Sequence, residues 1–344
     1  HSVRAVYLYT AMADLASETD DKELKAACER LWKSVTEKRM YVTGGIGSTC
    51  LGEAFTKDYD LPNDTAYAET CASIGLMFFA SRMLENEVKG VYADVMERAF
   101  YNTVLAGMQL DGKRFFYVNP LEVVPGIAGE AVTHKHVIPQ RPTWYACACC
   151  PPNVARLLTS IAKYAYGENA ETAYCHLYVA GNMKFSNGLE FNCVTEYPYD
   201  FTIRYEVVKG GKNLALRIPA WSRNVTVRRG RDAASMAEAS GKTENGYFCL
   251  DALQTGEIIE LQLDGTPEFV YASPKIPDIQ GCVALQRGPL VYCFEGVDND
   301  GTVLSLAVDD SETAEVEPFD PELLRGVARL KVKAFRKEIP EGLY

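Results

Sequence analysis

The hydrophobic period of this chain changes once, at Gly167, and that change limits the fold more than any other feature. Before it, apolar residues recur at helical spacing. Asp21 to Lys38 carries Leu24, Ala27, Cys28, Leu31, Trp32 and Val35 on one face, and Cys71 to Leu84 is apolar nearly all round, as a buried helix must be. The spacing also predicts helices over Val91 to Met108 and over Val154 to Tyr166, the latter closed by Gly167 as a carboxyl cap. His1 to Leu15 already reads as a helix with no capping residue before it, so the expectation is a piece of a longer chain whose own start, with any targeting signal, lies elsewhere. Beyond Gly167 the segments are short, β-branched or aromatic, and divided by turn residues: Thr172 to Val179, Leu189 to Glu196, Phe201 to Val207, Asn213 to Ile218, Val225 to Arg228, Gly246 to Leu250, Glu257 to Leu263 and Cys282 to Phe294. An all-β region of one or two sandwiches is expected there.

Between the helices run long glycine-rich or acidic connections, of a length that suits loops building a pocket. One of them, Tyr145 to Asn153, reads YACACCPPN. Three cysteines in four positions cannot all point one way on a helix or strand, so a loop is expected to present them, with Pro151 and Pro152 enforcing it. Reactive or metal-bound sulfur is one reading; a set of small buried hydrophobes is the other. A second sulfur site lies upstream, where Gly52 to Cys71 carries Glu53, Asp58, Asp60, Asp64, Glu69 and Cys71.

Glu69 and Cys71 are about 200° apart on a helix, too far to share an ion from a helix interior. They can share one from an irregular turn leading into the helix. With Cys149 and Cys150 they make a carboxylate and three sulfurs, a set that Zn²⁺ accepts in a tetrahedron and that is too soft for magnesium or calcium. A purely structural zinc is compatible with the same residues, although the paired CxxC spacing usual for one is absent.

Tyr41 to Ser48, YVTGGIGS, lets the backbone turn sharply or approach a ligand closely. Its spacing matches neither the dinucleotide fingerprint nor the phosphate-binding loop. Glu53 follows closely enough to face a pocket as a proton donor, with a solvated loop glutamate as the alternative. His134 and His136, in THKH, read as a surface loop rather than a metal pair, and Tyr117 as either a pocket phenol or a core tyrosine.

With 46 acidic against 35 basic residues the net charge is -11, which disfavours nucleic acid and anionic membranes as partners. Sugars and other small neutral molecules are compatible with it. The 11 cysteines follow no disulfide spacing, so a reducing compartment, and hence the cytoplasm, is expected.

The pieces YVTGGIGS, GEAF, DYDLPNDTAYAETCAS, FYVNPL and ACCPPNVARLL, in this order, together with LALRIPAWS and QRGPLVYCFE in the β region, closely resemble the glycoside hydrolase family 127 β-L-arabinofuranosidases and their near relatives in family 146. The resemblance implies a multidomain α + β protein: the C-terminal part of an (α/α)6 barrel over residues 1–170, a β-sandwich over 171–270 and a second β-sandwich region over 271–344. It implies Zn²⁺ held by Glu69, Cys71, Cys149 and Cys150, with Cys149 also the nucleophile of a retaining mechanism and Glu53 the general acid/base. His1 would bind the sugar, and Tyr117 would form part of the pocket wall.

The implied partner is an arabinofuranoside oligosaccharide or glycoconjugate, with a homodimer as one expected assembly. Two other functions fit the same residues: a relative acting on another furanose or on a branched acidic pectic sugar, and a non-catalytic carbohydrate-binding protein with a structural zinc. Because the family's barrel begins before the position of His1, helices of this half are expected to leave an exposed apolar surface with no counterpart on the β half.

Overall fold

A computed structural model of the chain describes residues 1–300 and 303–337. The helical part holds α1 (Ser2–Thr19), α2 (Lys22–Thr36), α3 (Thr70–Asn86), α4 (Gly90–Ala99), α5 (Cys150–Thr159) and the single turn α6 (Ala162–Ala165). Asp21 starts α2 by accepting hydrogen bonds from the backbone N–H groups of Glu23 and Leu24, an N-cap that satisfies donors the helix itself leaves open. α3 is the buried axis of this half. Twelve of its residues are buried, from Thr70 to Leu84, and α1, α4 and α5 all pack on it.

Three helix boundaries differ from the sequence expectation. The Val91 to Met108 helix is α4 as far as Ala99, and then continues as a wider π-helical turn over Phe100–Leu105. The Val154 to Tyr166 helix is broken at Ser160 and Ile161, and Gly167 lies inside a strand rather than capping a helix. Finally, Pro151 and Pro152 do not prolong a loop. They occupy the first turn of α5, where their missing N–H groups would have no helical partner anyway.

The glycine turn before the site is forced by contact. Gly44 has φ +78°, and a Cβ there would sit 2.6 Å from the Ala99 backbone at the end of α4. Any other residue would push this turn off the helix.

After α6 come β1 (Tyr166–Glu168), β2 (Thr172–Cys175), β3 (Gly181–Lys184), β4 (Glu190–Val194), β5 (Thr202–Lys209), β6 (Asn213–Arg217), β7 (Val225–Gly230), β8 (Ala237–Glu238), β9 (Lys242–Glu244), β10 (Tyr247–Leu250) and β11 (Ile258–Leu263). They form a five-stranded sheet in the order β1-β2-β6-β10-β9 and a six-stranded sheet in the order β3-β4-β5-β11-β7-β8. Pairing is antiparallel throughout except between β2 and β6. Ile203, Tyr205 and Val207 on β5 and Ile259, Leu261 and Leu263 on β11 are buried at every second position, as expected of strands with one face inward. They join Leu214 and Leu216 of the other sheet in one core that runs on into α3 and α4. A three-stranded sheet, β12 (Glu268–Tyr271), β13 (Val283–Arg287) and β14 (Leu290–Tyr292), and two short strand pairs complete the described chain.

Arg217 joins the two halves. Its side chain is fully buried on β6, where it donates to Asp94 and Glu97, one turn apart on α4, and through Nε to the carbonyl of His176 at 2.6 Å. Glu97 also accepts from Trp221 Nε1 at 3.0 Å and from the Tyr197 hydroxyl. A buried guanidinium survives only when its donors are met, and this one is met from both halves.

Exposed large apolar side chains occur on both sides of Gly167, among them Leu8, Leu51 and Trp144 before it and Val194, Tyr271 and Val297 after it.

Candidate metal centre and catalytic pocket

Two helix entrances build the site. Glu69 is the cap residue of α3, entered through Ala68 in the left-handed region at φ +40°, a conformation that is costly for a residue with a side chain. The segment before Asn119 clamps that entrance: Thr70 N–H donates to the Tyr117 carbonyl at 3.0 Å and Thr70 Oγ1 to that of Phe116 at 2.8 Å. Cys71 follows one residue into the helix. At the other entrance Cys149 is the cap residue of α5 and Cys150 its first residue. The sulfurs therefore lie at helix amino termini, whose partial positive charge favours thiolate.

The irregular turn required for Glu69 and Cys71 to share an ion is present, and four donors converge. Cys71 Sγ lies 3.4 Å from Cys149 Sγ and 3.6 Å from Cys150 Sγ, and the Cys149 and Cys150 sulfurs are 3.9 Å apart. Glu69 Oε1 is 3.3 Å from Cys149 Sγ. A regular tetrahedron with Zn–S bonds of about 2.3 Å puts its sulfurs ~3.8 Å apart, and an oxygen ligand ~3.5 Å from each sulfur. The three sulfur–sulfur separations and the Glu69–Cys149 separation meet that test within a few tenths of an ångström. The second oxygen, Glu69 Oε2, is buried and has no hydrogen-bond partner among the described residues, as a ligand oxygen facing an ion would be.

The electrostatics also call for a cation. Burial first, and then the neighbouring Cys149, push the Glu69 carboxyl up to about 8. Hydrogen bonds from Cys149 and Cys150 pull the Cys71 thiol down, and the same contacts push that of Cys150 up. The donors thus hold one negative charge easily and resist the next, because Glu69, Cys71 and Cys150 are each at most 2% exposed and water cannot screen them. A divalent ion removes that conflict.

Beside this cluster stands Glu53, also left-handed at φ +51°. Its carbonyl accepts from Ser2 N–H at 2.8 Å and Ser2 Oγ at 3.1 Å, and its carboxylate meets His1 Nε2 at 2.8 Å. Donor atoms of His1, Glu53 and Glu69 all lie within 4.8 Å of one another, so Glu53 and Cys149 both border Glu69. The other ring nitrogen, His1 Nδ1, is buried without a partner among the described residues. An unmet donor or acceptor at a pocket wall marks where a ligand's polar group would go.

Tyr117 lies with its ring stacked on Tyr145, the centroids 4.6 Å apart, and Tyr67 stands edge-on to Tyr117 at 6.1 Å. Neither Tyr145 nor Tyr67 stands out in the sequence, since nothing local separates a pocket tyrosine from a core one. The site thus sets the Glu53 carboxyl group beside a four-donor cluster of three sulfurs and a carboxylate, with the tyrosines in the same apolar cluster as the sulfurs.

The remaining sequence candidates lie elsewhere. Cys147 is exposed and outside the cluster. Asp58 is held by Lys38 and Arg39, and Asp64 by His134 at 3.1 Å. His136 Nε2 bonds the Thr65 carbonyl at 3.0 Å, so the two histidines fasten one loop to another and do not share a site. No helix among the described residues is long and apolar enough to cross a membrane.

Comparison with known proteins gives one consistent result. The profile described as β-L-arabinofuranosidase, GH127 catalytic domain, matches residues 1–163, the GH127 middle domain 172–265 and the glycoside hydrolase family 127 C-terminal domain 267–334. The chain is 40% identical to a non-reducing end β-L-arabinofuranosidase of Bifidobacterium longum subsp. longum, over 99% of its own length and 53% of that protein's. Among solved structures, a GH127 β-L-arabinofuranosidase from Geobacillus stearothermophilus T6 superposes with a TM-score of 0.91 at 44% identity, over 100% of this chain and 56% of that one. A second GH127 β-arabinofuranosidase superposes with a TM-score of 0.86 at 32% identity, over 98% of this chain and 56% of that one. The chain spans about half the length of the relatives it matches.

Proposed function

The chain belongs to glycoside hydrolase family 127, and on that premise we propose that it carries the catalytic centre of a retaining enzyme releasing L-arabinofuranose from β-L-arabinofuranosides. One observation carries this reading: Glu53, paired with His1, faces a four-donor cluster that includes Cys149. We further propose that the helical part is the C-terminal portion of an (α/α)6 barrel and that the two larger sheets form a β-sandwich.

Glu69, Cys71, Cys149 and Cys150 would hold Zn²⁺, which would keep the thiols ionised and fix their sulfurs in place. In the first half-reaction Cys149 Sγ attacks the anomeric carbon while Glu53 gives its proton to the departing glycosidic oxygen. In the second, Glu53 takes a proton from the water that cleaves the sugar from Cys149. This is the two-step logic of retaining glycosidases, with sulfur in place of the usual carboxylate nucleophile. His1 holds the Glu53 carboxyl through Nε2 and presents Nδ1 to a sugar hydroxyl. Tyr117, stacked on Tyr145, closes the wall beside Cys149 and excludes water from that side.

A non-catalytic sugar-binding protein with a structural zinc would need no acid beside the cluster, and the strained backbone at Glu53 would serve nothing in it. The test is turnover of p-nitrophenyl β-L-arabinofuranoside against a panel of other furanosides, using the chain within its full-length protein, with and without a chelator. Chelator-sensitive release from the β-L-arabinofuranoside is expected. Release only from another furanoside would overturn the substrate, and chelator-resistant release would overturn the metal.

A further inference from the structure

Glu69 belongs to two sets of donors, and only one of them contains sulfur. Its Oε1 lies 3.3 Å from Cys149 Sγ, on the thiolate side, while Oε2 is buried and has no partner among the described residues. The second set is Glu69 with Glu53 and His1, whose donor atoms all lie within 4.8 Å of one another. An imidazole nitrogen with two carboxylates suits a first-row divalent ion such as Zn²⁺, and the nitrogen disfavours magnesium and calcium.

The two sets differ in how an ion reaches them. Glu69, Cys71 and Cys150 are at most 2% exposed, whereas the side chains of His1 and Glu53 are 22% and 33% exposed. Charge draws a second cation to this open side. Three thiolates and a carboxylate around one divalent ion sum formally to -2, and an ionised Glu53 beside them adds a further negative charge. His1 Nε2 and the Glu53 carboxylate stand 2.8 Å apart, the length of a hydrogen bond. Ligands on bonds of about 2.0–2.1 Å are ~3.3 Å apart in a tetrahedron, so the pair need part by only ~0.5 Å to admit an ion.

We propose that His1, Glu53 and Glu69 form a second, inhibitory site for a divalent transition-metal ion, which shares Glu69 with the thiolate centre and takes the place of the proton between His1 and Glu53. The inhibition, though not the binding, rests on reading Glu53 as the acid/base. A Glu53 carboxylate bound to an ion has no proton to give a departing oxygen, so occupancy and turnover exclude each other. This site is weaker than its neighbour. It has no thiolate, and His1 Nδ1 has no partner among the described residues to orient the ring, a lack that typically weakens metal binding 10- to 100-fold. The second ion therefore leaves during purification and loads only from added metal.

The test is equilibrium dialysis against a rising series of free Zn²⁺, using the chain within its full-length protein, unsubstituted and as His1→Ala and Glu53→Gln. Turnover of p-nitrophenyl β-L-arabinofuranoside by the unsubstituted protein is read at each concentration. Two ions are expected, one tight and one weak. Both variants should keep the tight ion, which shows that the centre is folded, and should bind the weak one at least about tenfold less well. Turnover should fall as the weak site fills and recover on dilution, and Mg²⁺ at the same concentrations should leave it unchanged.

A single tight ion over the whole range would overturn the second site. So would a weak ion that both variants bind as the unsubstituted protein does, because it then sits elsewhere. Filling of the weak site with turnover unchanged would overturn the inhibition. A protein that binds only the weak ion, and loses it in both variants, would sink the zinc centre and leave this site standing.

Discussion

The sulfurs of Cys71 and Cys149 lie 3.4 Å apart although 78 positions of chain separate them. One opens α3, the buried axis of the helical half, and the other caps α5, which packs against that axis. The pair therefore reports on how two helix entrances meet, and whatever binds between them ties those entrances together.

Removing one ligand should cost the ion. In Cys150→Ser an alcohol replaces a buried thiol, and a serine hydroxyl ionises far too weakly to stand in for a thiolate. Elemental analysis of the purified variant should find less than about a tenth of the zinc bound by the unsubstituted chain. The unsubstituted chain should hold about one ion per molecule.

Cys149→Ser should bind metal weakly and turn over no substrate, because the nucleophile itself is gone. Near-native turnover would remove Cys149 from that role, whatever the metal content.

Glu53→Gln keeps the shape of the side chain and removes its proton. Loss of a general acid/base typically costs 10²- to 10⁴-fold, and kcat on an alkyl arabinofuranoside should fall by about that much. The first step should suffer less on a p-nitrophenyl glycoside, whose leaving group needs little protonation. An equal loss on both substrates would argue that Glu53 only shapes the pocket.

Metal affinity should fall as the pH is lowered. In the metal-free protein Glu69 holds its proton up to about 8, chiefly because it is buried, and the thiol of Cys150 is pushed up by its sulfur neighbours. Binding must displace those protons. Below pH 8 each displaced proton weakens binding by roughly tenfold per pH unit, so zinc competition assays at pH 6 and pH 8 should differ by at least a hundredfold. Equal affinities at the two values would mean that Glu69 is not a ligand.

Arg217→Met should destabilise the protein without touching the pocket. Breaking a buried pair by removing one partner typically costs about 3–5 kcal/mol, because the charge left behind has no water. Here two carboxylates, Asp94 and Glu97, would be left. Urea unfolding should report a loss of this order. A change below about 1 kcal/mol would show that α4 and β6 are held by their apolar contacts alone.

The sequence by itself determined the change from helices to strands, since the period of apolar residues is a local property set by backbone geometry. It also determined the donor types at the centre: the carboxylate of Glu69 and the sulfurs of Cys71, Cys149 and Cys150 were legible because few other chemistries need three cysteines and a glutamate in two short motifs. Local pattern misjudged the ends of elements. Pro151 and Pro152 start a helix and Gly167 enters a strand, because capping geometry and strand pairing, rather than residue identity, decide such positions.

What only the tertiary structure decided is everything that depends on distant segments meeting. The hold of His1 on Glu53, the stack of Tyr145 on Tyr117 and the closure of Arg217 on Asp94 and Glu97 all join residues tens of positions apart or more. A tyrosine, arginine or asparagine looks the same in sequence whether it faces water or a buried partner. Its role is fixed only when packing removes the water and leaves one neighbour able to satisfy it.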